Sequence, residues 1–190
     1  MRVDDDALAR GLRPPPSAWQ RTSLRRAAVL APLFRRDDED WLLFLVRRDD
    51  LREHAGQIAF PGGVDEQDAD PIACALRETE EEVGIAPAAV RVLGEVATRQ
   101  SSSRYRVHCL VGRVDDPGDV RGEPGEVARV LVVPMRELAE PTRWELRGPP
   151  GLPQDAPKRW PDSPHFQAGD DLIWGLTGRF TYDLIQALGG

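Results

Sequence analysis

The chain is short of cysteine and nearly without lysine. Its two cysteines, Cys74 and Cys109, stand in no metal-like spacing. That spacing argues against a zinc site or a disulfide framework, and both read as buried thiols in a reducing compartment. Lys158 is the single lysine among 25 basic residues, a matter of composition with no bearing on function by itself. There is no basic excess either: the formal net charge is −7, which argues against nucleic-acid binding through a basic surface. No apolar run approaches the roughly 20 residues that a membrane helix needs. The first residues, MRVDDDALAR, are acidic and lack the apolar core of a signal peptide. A cytoplasmic location is therefore expected, with neither membrane nor nucleic acid as a partner.

What remains is ordinary for a globular protein: 190 residues, 41% hydrophobic and 30% charged, enough for one domain with small additions. Residues 4–12 suggest a short amphipathic helix, followed by the stiff connector RPPPS. Residues 1–25 are taken as this N-terminal helix and Pro-rich connector, and 26–190 as one domain. AAVLAPLF and WLLFLVRR, joined by the polar turn RRDDED at 35–40, have the near-continuous apolar pattern of strands covered on both faces. GQIAFPGG at 56–63 is a short strand ending in a turn. A helix follows over 71–83, with Asp70 as N-cap, Pro71 at its first position and Gly84 just past its end. Strands are expected at VRVLGEVATR, RYRVHCLVGRV and EVARVLVVPM, then a short helical MRELAE. Residues 141–169 look irregular, and 171–188 read as a closing helix. Strands first, with one helix in the middle and one at the end, indicate an α+β layered domain.

The concentration of charge lies in GVDEQDADPIACALRETEEEVGI, residues 63–85. With Glu78 at 0° on a helical wheel, Glu82 falls at roughly 40° and Glu81 at roughly −60°, whereas Glu80 lies at about 200°, toward solvent. Ile72, Leu76 and Val83 cluster at roughly 120–160°. Such a trio is either the wet side of an amphipathic helix or a metal face. Like charges at i, i+3 and i, i+4 repel, and carboxylates near a helix C-terminus oppose its dipole. Arg77, four residues before Glu81, is the one nearby neutralising charge. A divalent cation removes both penalties.

These residues resemble the Nudix box, G-x5-E-x7-R-E-U-x-E-E-x-G-U with U aliphatic. Gly63, Arg77, Glu78, Glu81, Glu82, Gly84 and Ile85 fit in register. Thr79 stands where an aliphatic residue is usual, and Ala69 stands at the first glutamate, flanked by Asp68 and Asp70. Either aspartate is a candidate for that role, and Asp70 also for a cap alone. The resemblance implies the Nudix fold, a mixed β-sheet sandwiched between α-helices, and metal-dependent hydrolysis of a diphosphate with Mg²⁺ or Mn²⁺. It implies Glu78, Glu82 and Glu81 as metal ligands with the Gly63 carbonyl, Arg77 as the residue that orients Glu81, and a general base that is either a box glutamate or Glu126, with Glu123 as its competitor. A homodimer is a further expectation from the family.

Upstream, FLVRRDDLREHAGQIAFPGG at 44–63 resembles the extra signature of the coenzyme A diphosphatase branch, through Leu51, Arg52, His54, Gly56, Gln57, Phe60, Pro61, Gly62 and Gly63. Arg48 stands in place of its serine. The tail IWGLTGRFTYDLIQAL is similar to the I-W-G-x-T-x-x-I stretch of the same branch. This implies coenzyme A or acyl-CoA as substrate, cut to adenosine 3′,5′-bisphosphate and 4′-phosphopantetheine or its acyl form. Candidate substrate contacts are Arg52, His54, Arg48, Arg104 and Tyr105, with Arg99 and Arg106 on the same anion-binding rim. Two alternatives stay open: a Nudix hydrolase of an NDP-sugar, dinucleotide or NTP, and a non-catalytic nucleotide sensor, which Ala69 favours.

Overall fold

The computed structural model describes residues 1–50, 56–115, 117–118, 120–151 and 162–189. Its spine is β1 (Arg25–Arg36), which pairs with different partners along its length. The C-terminal part runs antiparallel to β2 (Glu39–Arg47), through a two-residue hairpin in which Asp37 and Asp38 both take positive φ. Two left-handed residues give a hairpin turn whose twist matches the strands. Near its start, β1 pairs antiparallel with β4 (Gly62–Val64), and along its other edge parallel with β6 (Tyr105–Val114). Beyond β6 lies antiparallel β5 (Val90–Gln100). β2 carries β3 (Ile58–Ala59) and β7 (Val127–Pro134). The sheet is thus mixed.

Alternation along β1 builds two layers of core. Ala27, Ala31 and Leu33 join Leu8, Phe44, Val107, Phe180 and Leu184 on one face, where α1 (Asp5–Gly11) and α4 (Gly175–Leu188) pack. Ala28 and Leu30 join Cys74, Ala75 and Leu110 on the other, beneath α2 (Pro71–Val83). This is the α+β layering that the residues indicated, and the sheet between helices that the resemblance implied.

Two expectations need correction. Residues 141–169 are not irregular throughout: β8 (Trp144–Arg147) and β9 (Ser163–Ala168) pair in a small second sheet. The closing helix begins at Gly175, because Asp171–Ile173 form β10 on β9. Ile173 is fully buried there. A triplet such as Asp-Leu-Ile suits a sheet edge and the first turn of a helix alike, so periodicity did not separate them. α3 is one turn, Met135–Leu138.

Candidate active site

α2 is fixed at both ends as its sequence dictates. Asp70 Oδ1 accepts the Ala73 N–H at 2.9 Å, Pro71 fills the first turn, and Gly84 closes the helix. The face it buries differs from the wheel's expectation. Cys74, Ala75 and Thr79 are fully buried, Ile72 and Leu76 only half-buried, and Glu82 is 6% exposed. Thr79 replaces the box's aliphatic residue without leaving a buried hydroxyl unpaired, since its Oγ1 donates to the Ala75 carbonyl at 2.6 Å.

Glu82 therefore points inward, toward the turn between β3 and β4. Its Oε2 accepts the Gly62 N–H at 2.8 Å. Gly62 has φ 147°, and a Cβ there would lie 2.4 Å from the Ala28 carbonyl oxygen, so only glycine lets the strand pass and present this N–H. A Cβ on Gly63 would sit 2.4 Å from the Glu78 carboxylate; the missing side chain is what brings that carboxylate onto the backbone. The Gly63 carbonyl takes the Cys74 thiol at 3.7 Å. Burial pushes the Glu82 carboxyl up to about 7, against the opposing effect of the Gly62 N–H, with Glu78 adding to the rise. Burial also raises Glu78, more than Arg77 lowers it.

Arg77 is the hub. It donates to Asp68 through Nε (3.0 Å) and Nη2 (3.1 Å), to Glu81 through Nη1 (3.1 Å) and to the Val64 carbonyl, and lies 3.0 Å from Glu78. Of the two aspartates flanking Ala69, Asp68 thus meets the box arginine while Asp70 is spent on the cap. Asp68 is held in turn by Trp19, whose indole N–H donates to the Asp68 carbonyl at 3.0 Å. Nothing in the box pattern announces that contact, since Trp19 lies far upstream. Glu81 is exposed and faces Arg77. Glu126 is exposed and lies 3.4 Å from Arg47, whereas Glu123 is used by its own turn, accepting the Gly125 and Glu126 N–H groups.

Beside Gly62 and Gly63 opens a cavity of about 310 Å³, walled also by Arg47, Tyr105, Leu176 and Phe180. A larger hollow of about 500 Å³ lies at Trp19, Arg21 and Arg26; no box glutamate lines either space, and the box meets the first through Gly63. Of the expected substrate contacts, Tyr105 reaches the first cavity, with the Arg25 guanidinium 4.7 Å above its ring. Arg48 grips Asp50 with two bonds and the Pro124 carbonyl with a third, and does not line the cavity. Arg104 is exposed with φ 64° in the β5–β6 turn. Arg99 pairs with Asp183 and Arg106 with Gln20, so the three arginines do not form a common rim. Arg52 and His54 lie outside the described residues. Both cysteines are buried, and burial raises both thiols, Cys74 to about 12.

The NUDIX domain family profile matches residues 24–154. The chain belongs to the Nudix family. A Nudix hydrolase acts on nucleoside diphosphate derivatives, and the family generally uses divalent metal ions. Among curated proteins, the chain is 40% identical to an uncharacterized Nudix hydrolase NudL of Yersinia enterocolitica, over 92% of this chain and 86% of that one. It is 37% identical to a namesake from Photorhabdus laumondii, over 91% and 90%. Among solved structures it is similar in fold to an Ap4A hydrolase of C. elegans (TM-score 0.51, 19% identity, 58% of this chain and 80% of that one). It also matches a MutT/nudix family protein of Enterococcus faecalis (TM-score 0.54, 14% identity, 89% and 62%).

The donor set suits Mg²⁺ or Mn²⁺: hard carboxylate oxygens from Glu78 and Glu82 beside a glycine backbone that lets them approach. Among the described residues no three His, Cys, Asp or Glu side chains converge closely enough to hold an ion as they stand. Glu78 and Glu81 each place one carboxylate oxygen against Arg77. Among the described residues no helix is long and apolar enough to cross a membrane.

Proposed function

We propose that this Nudix hydrolase cleaves the diphosphate of coenzyme A or acyl-CoA, giving adenosine 3′,5′-bisphosphate and 4′-phosphopantetheine or its acyl form. The observation that carries the chemistry is the buried Glu82, raised to about 7, which with Glu78 packs on Gly62 and Gly63, the glycines that line a cavity. The substrate assignment rests on the 44–63 signature and the 173–188 tail.

In this reading Glu78 and Glu82, with Glu81 and the Gly63 carbonyl, hold Mg²⁺ or Mn²⁺. Bound there, a divalent ion acidifies water and offsets charge on the diphosphate. The Gly62 N–H fixes the Glu82 carboxylate, and Arg77 aligns Glu81. Water attacks one phosphorus, the bond from that phosphorus to the bridging oxygen breaks, and the electron pair leaves with the second phosphate. The water's proton passes to a carboxylate, Glu126 or a box glutamate. Tyr105 offers its ring to the substrate from the cavity wall, and Arg104, Arg48, Arg52 and His54 remain candidates for its outer phosphates.

Coenzyme A incubated with Mg²⁺ or Mn²⁺, followed by mass analysis, tests this. The expected products are the bisphosphate and the phosphopantetheine, both lost with EDTA. Turnover of an NDP-sugar, dinucleotide or NTP in place of coenzyme A would move the protein to the alternative that Arg48, standing where the branch has serine, favours. No turnover of any diphosphate would support the sensor that Ala69 suggests.

A further inference from the structure

Among the described residues that line the cavity, Arg47 is the one with a buried side-chain donor left unpaired. Its guanidinium is shared between two carboxylates: Nη2 donates a long hydrogen bond to Glu126 at 3.4 Å, and Nη1 stands 3.8 Å from Glu82, beyond hydrogen-bond reach. The Nε atom is buried with no hydrogen-bond partner. A buried unpaired donor on a charged group loses its hydration for nothing. The backbone at this point is specially shaped. The β2–β7 register shifts between Val46 and Arg47, where the partner on β7 steps from Arg129 to Val127 and skips Ala128. The strand is nevertheless anchored, since the Arg47 N–H donates to the Gln57 carbonyl at 3.0 Å. Three features thus coincide: a buried Nε without an acceptor, long contacts to both carboxylates, and a place on the cavity wall beside Gly62 and Gly63.

We propose that Arg47 is a two-position residue, a counter-ion to Glu82 and Glu126 in the metal-free protein and a clamp on the substrate's diphosphate once those carboxylates take a divalent ion. A guanidinium suits both positions. It is a permanent cation, and its planar fork gives two parallel bonds to a carboxylate or to phosphate oxygens. The move would also give Nε the acceptor it lacks. The inference rests on the diphosphatase reading for its second position only; the first is a property of the protein alone.

Arg47→Gln and Arg47→Lys test it in two independent assays, with circular dichroism as a check on folding. The first is Mn²⁺ binding without substrate, followed by the electron spin resonance of free Mn²⁺ at pH 8.5. Removing a competing cation is expected to tighten Mn²⁺ in Arg47→Gln by roughly 3- to 10-fold, whereas Arg47→Lys, which keeps the charge, stays near wild type. The second is kcat/KM on whichever diphosphate the wild type cleaves. Arg47→Gln is expected to lose roughly 100-fold and Arg47→Lys roughly 10-fold, because a point charge does not replace the fork. Unchanged or weaker Mn²⁺ binding in Arg47→Gln overturns the counter-ion position. Turnover within about threefold of wild type in both variants overturns the clamp. Should coenzyme A prove not to be the substrate, both assays still decide the role of Arg47. If no diphosphate is cleaved, the clamp falls with the diphosphatase reading, and the Mn²⁺ assay still decides the counter-ion.

Discussion

The two ends of β1 each gather carboxylates and arginines, and they treat charge in opposite ways. At the hairpin end Asp40 is fully buried, yet every oxygen is matched: Arg113 at 2.6 Å, Arg35 at 2.9 Å and the Val3 N–H at 2.6 Å. Asp5 completes the group between Arg113 and Arg91. Burial alone would raise both aspartates, but these partners outweigh it and hold both below the usual carboxylate range. At the β4 end Glu82 is almost as buried, has one N–H, and finds its guanidinium only at 3.8 Å; its carboxyl is raised. The same residue types therefore make a brace in one place and an unmet demand for positive charge in the other. The completeness of the shell decides which.

Breaking the site end should cost catalysis and not stability. Glu82→Gln keeps the shape and removes a buried charge, so turnover is expected to fall roughly 1000-fold while the melting temperature of the metal-free protein holds or rises. Breaking the hairpin end should do the reverse. Asp40→Asn leaves Arg113 and Arg35 facing a neutral group and is expected to cost about 3 kcal/mol in denaturant unfolding, with turnover per folded molecule unchanged.

Proton linkage sharpens the contrast. The lowered Asp5 and Asp40 contribute stability that is present above their unfolded values, near 4, and is lost as pH falls through their folded ones. The raised Glu82 has the opposite sign: between its unfolded value near 4.5 and about 7 the folded state binds the extra proton. Metal-free protein should therefore gain stability as pH falls from about 8 to about 5, by up to about 3 kcal/mol, and lose it below about 4. Saturating Mn²⁺ should flatten the upper limb. The smallest effect concerns the loop where Ala69 stands. Asp68→Asn weakens the grip on Arg77 and is expected to lower kcat about 10-fold, with recovery when Ala69→Glu is added; no recovery would leave Asp68 a loop brace alone.

Much of the scaffold was legible because its signals are local. Asp70, Pro71 and Gly84 mark α2 to the residue, and the apolar runs mark β1 and β2. The site was legible through the box, but its orientation was not. The wheel set Glu82 on a different face from the apolar residues, whereas the sheet buries it together with Cys74 and Thr79, where its carboxylate accepts the Gly62 N–H. Arg48 drew attention as a departure from a signature, while its neighbour Arg47, the last residue of β2, is the one in the cavity; a near-continuous apolar run carries no alternation from which to tell which of the two faces inward. Trp19 was invisible for another reason: a contact across that much chain has no periodicity.

The most direct test of the central claim, that Glu82 and its neighbouring carboxylates on α2 are a cation site, is Mn²⁺ binding to wild type and Glu82→Gln without substrate. A wild-type isotherm that weakens roughly 100-fold in Glu82→Gln, while Asp40→Asn binds as wild type, is the predicted result. Equal Mn²⁺ binding by wild type and Glu82→Gln would contradict it.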